Sequence, residues 1–208
     1  MVTDKQIKVI FFDIGGVLLK IHPERMIGKI SSFTNIPYEV VENAFPQNEH
    51  DIYERGKMTD YDWYVSYKKA LPQENSLSED QFWKSWSLLL GNETDVVDIL
   101  INLKKNYKIW LLSNTNPMHI KSEIESKCVF HKLVDGAIYS YDVGYRKPEK
   151  EIYYIACDSA DVNPENSIFI DDLEENIIGA NKVGIKGIHY KSTIKLSKEL
   201  TRLNIKHD

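Results

Sequence analysis

Val9-Ile10-Phe11-Phe12-Asp13-Ile14-Gly15-Gly16-Val17-Leu18 is the stretch that decides how the rest of the chain reads. Four consecutive apolar residues without alternation suit a strand buried on both faces, as in a parallel sheet. The run stops at a carboxylate, and two glycines follow shortly after, where the backbone can turn tightly beside a ligand. In open parallel sheets, ligands sit beyond the carboxyl ends of the strands. Asp13 is therefore a candidate nucleophile by position as well as by chemistry.

Comparable runs recur at Lys108–Leu112, Gly136–Tyr139, Ser167–Ile170 and Gly187–Tyr190. Helical patterns lie between them, at Thr94–Lys105, Glu149–Cys157, Glu174–Val183 and Thr193–Leu203. Strand and helix in alternation predict an α/β domain with a Rossmann-like parallel sheet covered on both faces. Asp13, Ser113 and Asp171 each follow their strand directly, so the three are expected to converge.

The stretch from Ile21 to Asn92 breaks the alternation with helical segments and no clear strand: Pro23–Phe33, Tyr38–Phe45, Glu49–Arg55, Thr59–Leu71 and Ser78–Leu90. Ser78-Glu79-Asp80-Gln81 reads as a capping box. Trp63, Trp83 and Trp86 fall here and are expected to form the core of a small bundle. The predicted organisation is an α/β core of residues 1–20 and 93–208 with a helical insertion of residues 21–92.

The chain has 208 residues, 42% hydrophobic and 27% charged, the composition of an ordinary globule. A net charge of −5 without a basic stripe argues against a nucleic-acid partner but leaves a small anionic substrate open. Cys128 and Cys157 lack metal or redox spacing and read as free thiols of a reducing compartment. Met1–Gln6 has no apolar run of a signal peptide, and Val9–Leu19 is too short and interrupted to span a membrane. The expectation is a cytoplasmic protein; nothing bears on its oligomeric state.

The strand ends carry specific chemistry. Asp171-Asp172 would repel each other in a compact site unless a cation lies between them, and Mg²⁺ suits oxygen ligands of this kind; acids at a helix N-terminus would also favour the dipole, as Glu174 and Glu175 do. Asn176 could orient the acidic loop. Ser113 and Asn114 can hold phosphoryl oxygens without adding charge. In Gly144-Tyr145-Arg146-Lys147-Pro148, either Lys147 or Arg146 could supply a cation.

Asp13, Ser113, Lys147 and the Asp171-Asp172 pair occur in the order of the four motifs of the haloacid dehalogenase (HAD) superfamily, which the chain resembles over most of its length. The Phe-Asp-Ile-Gly-Gly-Val, Ser-Asn-Thr-Asn and Arg-Lys-Pro segments, with Asp171-Asp172 through Gly184, are most similar to the subgroup of α-D-glucose-1-phosphatase and the phosphatase domain of soluble epoxide hydrolase. The resemblance implies a HAD fold with a helical C1-type cap and a Mg²⁺-dependent phosphatase acting through an aspartyl-phosphate on a small phosphate ester, a sugar phosphate being favoured. It implies Asp13 as nucleophile and metal ligand, and the Gly15 carbonyl, Asp172 and, in an ancillary role, Asp171 as further metal ligands. Ser113 and Asn114 would bind phosphate, and Lys147 would stabilise its charge.

Gly15 departs from the resemblance, because most phosphatases of the superfamily carry a second Asp there to protonate the leaving oxygen. A haloacid dehalogenase needs no such acid, yet that branch lacks the metal-binding pair retained here. A non-catalytic phosphate-binding protein is the other alternative. If the chain is a phosphatase, the leaving group must depart readily or another group must donate, for which His22 and His50 are the candidates.

Overall fold

The structure, a computed structural model, describes residues 6–72 and 74–207; residues 1–5, part of the stretch judged free of a leader, lie outside them. The central sheet contains β1 (Val9–Phe12), β4 (Lys108–Ser113), β5 (Gly136–Tyr139), β6 (Ser167–Asp171) and β7 (Lys186–His189) in the order β5-β4-β1-β6-β7. All four pairings are parallel. From β1 the chain moves outward through β4 to β5, then returns to the other side of β1 as β6 and β7. The switch point thus lies between β1 and β6, where Asp13 and Asp171-Asp172 emerge.

Every residue of β1 is buried. Ile10 and Phe12 pack on one face, with Leu100, Leu111, Ile170 and Leu200. Val9 and Phe11 pack on the other, with Tyr153, Phe169 and Ala180. Burial of both faces explains the unbroken apolar run that marked the strand.

The helices are α1 (Pro23–Thr34), α2 (Tyr38–Asn43), α3 (Gln47–Glu54), α4 (Asp60–Ala70), α5 (Glu79–Trp86), α6 (Val96–Leu103), α7 (Glu125–Lys127), α8 (Ser140–Val143), α9 (Lys150–Ser159), α10 (Glu174–Lys182) and α11 (Thr193–Arg202). Helices α1 to α5 carry their own apolar cluster, with Trp63, Trp86, Phe82, Tyr53 and Tyr67 at its centre. Trp83 packs against this cluster partly buried. The capping box forms as read: Ser78 Oγ accepts from the Gln81 N–H, and Gln81 Oε1 accepts from the Ser78 N–H. Among the described residues no helix is long and apolar enough to cross a membrane.

The short helices α7 and α8 were not expected from the sequence, and two further features depart from its reading. Leu19–Ile21 (β2) and Leu90–Glu93 (β3) pair as an antiparallel ribbon through which the chain enters and leaves the helical insert. Each piece is too short to signal a strand alone, and its partner lies some seventy residues away. The second feature is a π-helical turn, His119–Ile124, leading into α7.

Candidate active site

Asp13 begins where β1 ends, and its N–H still donates to Ile170 O of β6 (2.9 Å). Its side chain is 10% exposed. Oδ1 accepts from the Ile14 N–H at 2.7 Å and meets Lys147 Nζ at 2.9 Å. Lys147 comes from the loop between α8 and α9, and its ammonium also donates to Asp171 Oδ2 (2.7 Å) and Leu112 O (3.0 Å). Between Lys147 and Arg146 the structure therefore decides for Lys147 as the buried cation. Arg146 turns the other way, to Asp51 and Glu54 of the insert.

The site is short of positive charge. One carboxylate oxygen each from Asp13, Asp171 and Asp172 lie within 4.8 Å of one another, against the single ammonium of Lys147. Burial pushes the Asp13 carboxyl up to about 7; Lys147 opposes this and Asp171 adds to it. Asp172 is also held above its ordinary value, by burial and by the charge of Asp171. Burial alone would depress Lys147, but Asp13 and Asp171 more than offset it and hold its pKa above the usual value. Three carboxylates and one ammonium leave two negative charges, which one divalent cation balances. An all-oxygen donor set of this kind fits Mg²⁺.

The three acids are not equivalent. Asp171 is fully buried, and its oxygens accept from the Leu173 N–H (2.8 Å), Asn176 Nδ2 (3.0 Å) and Lys147. Those bonds make it the anchor of Lys147 and of the loop leading to α10. Asp172 is half-buried, and its main-chain carbonyl lies 2.9 Å from His189 Nε2 at the end of β7. Its carboxylate sits directly over Gly16, where a Cβ would fall 2.3 Å from Oδ2; Gly16 also has a φ of +76°. Only glycine lets this turn pass beneath Asp172, and that brings the Gly15–Gly16 peptide to the carboxylate cluster.

Ser113 closes β4, beside β1, and is buried. The side chain of Asn114 faces a different partner from the one expected. Its Oδ1 accepts from the Lys147 N–H (2.8 Å) and its Nδ2 donates to Lys147 O (3.0 Å). The amide is thereby occupied in holding the Lys147 backbone. Ser140 fixes the same turn, because its Oγ accepts from the Thr115 N–H and donates to Thr115 O (2.9 and 3.1 Å).

The two histidine candidates lie elsewhere. His22 precedes α1, pairs with Glu24 at 2.9 Å and packs against Gly91 of the ribbon. His50 is partly buried in the insert between Phe45 and Trp63, 3.6 Å from Glu54, and desolvation lowers its pKa. These contacts are with the ribbon and the insert, not with the carboxylate cluster. The space that a side chain at position 15 would enter holds Ile21 instead: its Cδ1 lies 2.6 Å from where the Gly15 Cβ would be. Sequence reading missed Ile21, Ser140 and His189, and none of them lies in a motif that singles it out.

The haloacid dehalogenase-like hydrolase family matches residues 7–184. The chain belongs to this family. A HAD relative, the D-ribitol-5-phosphate phosphatase of Bacteroides thetaiotaomicron, is 26% identical over 94% of this chain and 97% of its own length. The sesquiterpene phosphatase astK of Aspergillus oryzae is 25% identical over 94% of this chain and 96% of its own. A HAD enzyme of B. thetaiotaomicron, solved in complex with magnesium and inorganic phosphate, superposes with a TM-score of 0.78 at 27% identity, covering 90% of this chain and 96% of that one.

Proposed function

We propose that the protein is a Mg²⁺-dependent phosphomonoester hydrolase acting on a small phosphorylated sugar or polyol. The observation that carries the reading is the cluster of Asp13, Asp171 and Asp172 around Lys147 at the switch point of the sheet. Whole-length similarity to phosphatases supports the reaction class, and the ribitol-5-phosphate enzyme supports the substrate class. The acid pair also speaks against a haloacid dehalogenase, for which a cation-requiring cluster has no use. The free, buried thiols Cys128 and Cys157 support a cytoplasmic setting.

In this reading Asp13, Asp172 and the Gly15 carbonyl hold the metal, with Asp171 in support behind Lys147. When bound, Mg²⁺ neutralises phosphoryl oxygens and orients them for in-line attack. Ser113 Oγ, the Asn114 N–H and Lys147 hold the phosphoryl group. An oxygen of Asp13 attacks phosphorus, the ester P–O bond breaks, and the departing alkoxide takes a proton from solvent. Water then attacks the aspartyl-phosphate, releasing phosphate and restoring Asp13. Residues 21–92 act as a cap that shields the site and selects the leaving group.

The test is phosphate release from a panel of sugar phosphates, polyol phosphates and nucleotides, with Mg²⁺ and after chelation. Turnover of polyol or sugar phosphates that chelation abolishes is the expected result. Tight vanadate binding without turnover of any ester would instead mark a phosphate-binding protein.

A further inference from the structure

We propose that Arg146 is a positioning residue that clamps cap helix α3 onto the loop carrying Lys147, so that closure of the cap and placement of the catalytic cation are one event. The proposal rests on the phosphatase reading for its kinetic consequences but not for its geometry. Lys147 is fixed from the core side by the Asn114 amide on its backbone. Its neighbours face the cap. Arg146 Nη1 reaches Asp51 Oδ1 at 2.5 Å, and Nη2 lies 2.7 Å from Glu54 Oε2. Glu149, two residues beyond Lys147, takes both Arg55 Nη2 (2.6 Å) and Nη1 (3.0 Å), while its Oε2 also accepts the Arg146 N–H (3.1 Å). Arg55 Nε closes the circuit on Asp51 Oδ2 at 2.7 Å.

The result is a ring of charges in which each arginine bridges cap and core, and Asp51 is shared between them. Glu54 is only 9% exposed at its side chain, so removing Arg146 would leave a nearly buried carboxylate without its counter-charge. Next to the ring, Gly56 (φ +67°) presses on the core so closely that a Cβ would fall 2.1 Å from Tyr141 O. The α3 end of the cap is therefore seated on the segment that leads into Lys147. Asp13, Ser113 and Lys147 are all buried, so small movements of the segment carrying Lys147 change how far they are open to a phosphate ester. A clamp of charges suits such movements, because water and salt can compensate it on opening as they cannot compensate an apolar seal.

The experiment compares wild type with R146M, R146K and D51N by steady-state kinetics across ionic strength and by hydrogen exchange. Partly exposed pairs are individually worth little, so R146M should raise KM by about five- to tenfold while kcat falls less. R146K should recover part of the KM effect. Wild-type KM should rise with salt more steeply than that of R146M, in which only the attraction of the phosphate itself is screened. Amides of residues 50–56 and 144–149 should exchange faster together in R146M, with β1 and β4 unchanged. Unchanged KM and exchange in R146M would overturn the clamp, as would faster exchange spread evenly over the fold. If R146M does not fold, D51N, which keeps Arg146, must show the same paired exchange and KM shift, or the clamp is wrong. Wild type inactive on every ester would sink the phosphatase reading alone, and the exchange data would still decide the clamp.

Discussion

The two sides of Asp13 are built by different rules. On one side, Lys147, Asp171, Asn176 and the Leu112 carbonyl form a dense set of buried charges and hydrogen bonds, in which the ammonium meets a partner in each of three directions. On the other, Gly15 carries no side chain, and the methyl of Ile21, a residue 41% exposed, occupies the space above it. In the proposed reaction the polar side is the one that holds phosphate and metal. The apolar side presents neither a charge nor a proton donor at position 15. The chemistry proposed for this chain therefore commits itself to the phosphoryl group and leaves departure of the alcohol to the substrate.

The largest way to break the contrast is at Lys147. K147M would leave Asp13 and Asp171 facing each other without their shared cation. Removing one partner of a buried ion pair typically costs ~3–5 kcal/mol, and a loss of that order is expected in metal-free protein. Mg²⁺ should then stabilise K147M by more than it stabilises wild type, because it supplies the missing charge. Urea unfolding with and without Mg²⁺ measures both quantities; equal stabilisation of the two proteins would mean that the carboxylates do not share a metal site.

A smaller change sharpens the contrast from the apolar side. G15D alone places a Cβ against Ile21 Cδ1, so a gain is expected only as far as that side chain swings away. G15D with I21A clears the space. General acid assistance is worth ~10²–10⁴-fold, so the double variant should gain most on esters of poorly acidic alcohols, and G15D alone less. The readout is the dependence of kcat/KM on leaving-group pKa. If G15D performs as well as the double variant, Ile21 is no obstacle; if neither flattens the dependence, position 15 does not face the leaving oxygen.

The sheet was legible because each central strand is buried on both faces and so consists of nearly unbroken apolar residues; β1 matches its expected bounds, and β6 runs one residue further. The ribbon of β2 and β3 was not, since pairing between two short pieces depends on a turn of the whole insert. Asp13, Lys147 and Asp171-Asp172 were legible as strand-end and loop chemistry in a recognisable order. The direction of adjacent side chains was not. Arg146 and Lys147 are neighbours in sequence, yet one faces the helical insert and the other the carboxylates. Asn114 reads equally well as a ligand to phosphate or as a clip on a loop, and only the partner 33 residues away distinguishes the two.

The most direct measurement is phosphate release by wild type and D13N side by side in Mg²⁺, on the best ester from the panel. With Asp13 as the nucleophile, D13N should lose turnover by more than about 10³-fold, while still binding vanadate in a Mg²⁺-dependent manner. D13N that turns over at a rate near that of wild type would contradict the assignment, and with it the aspartyl-phosphate route.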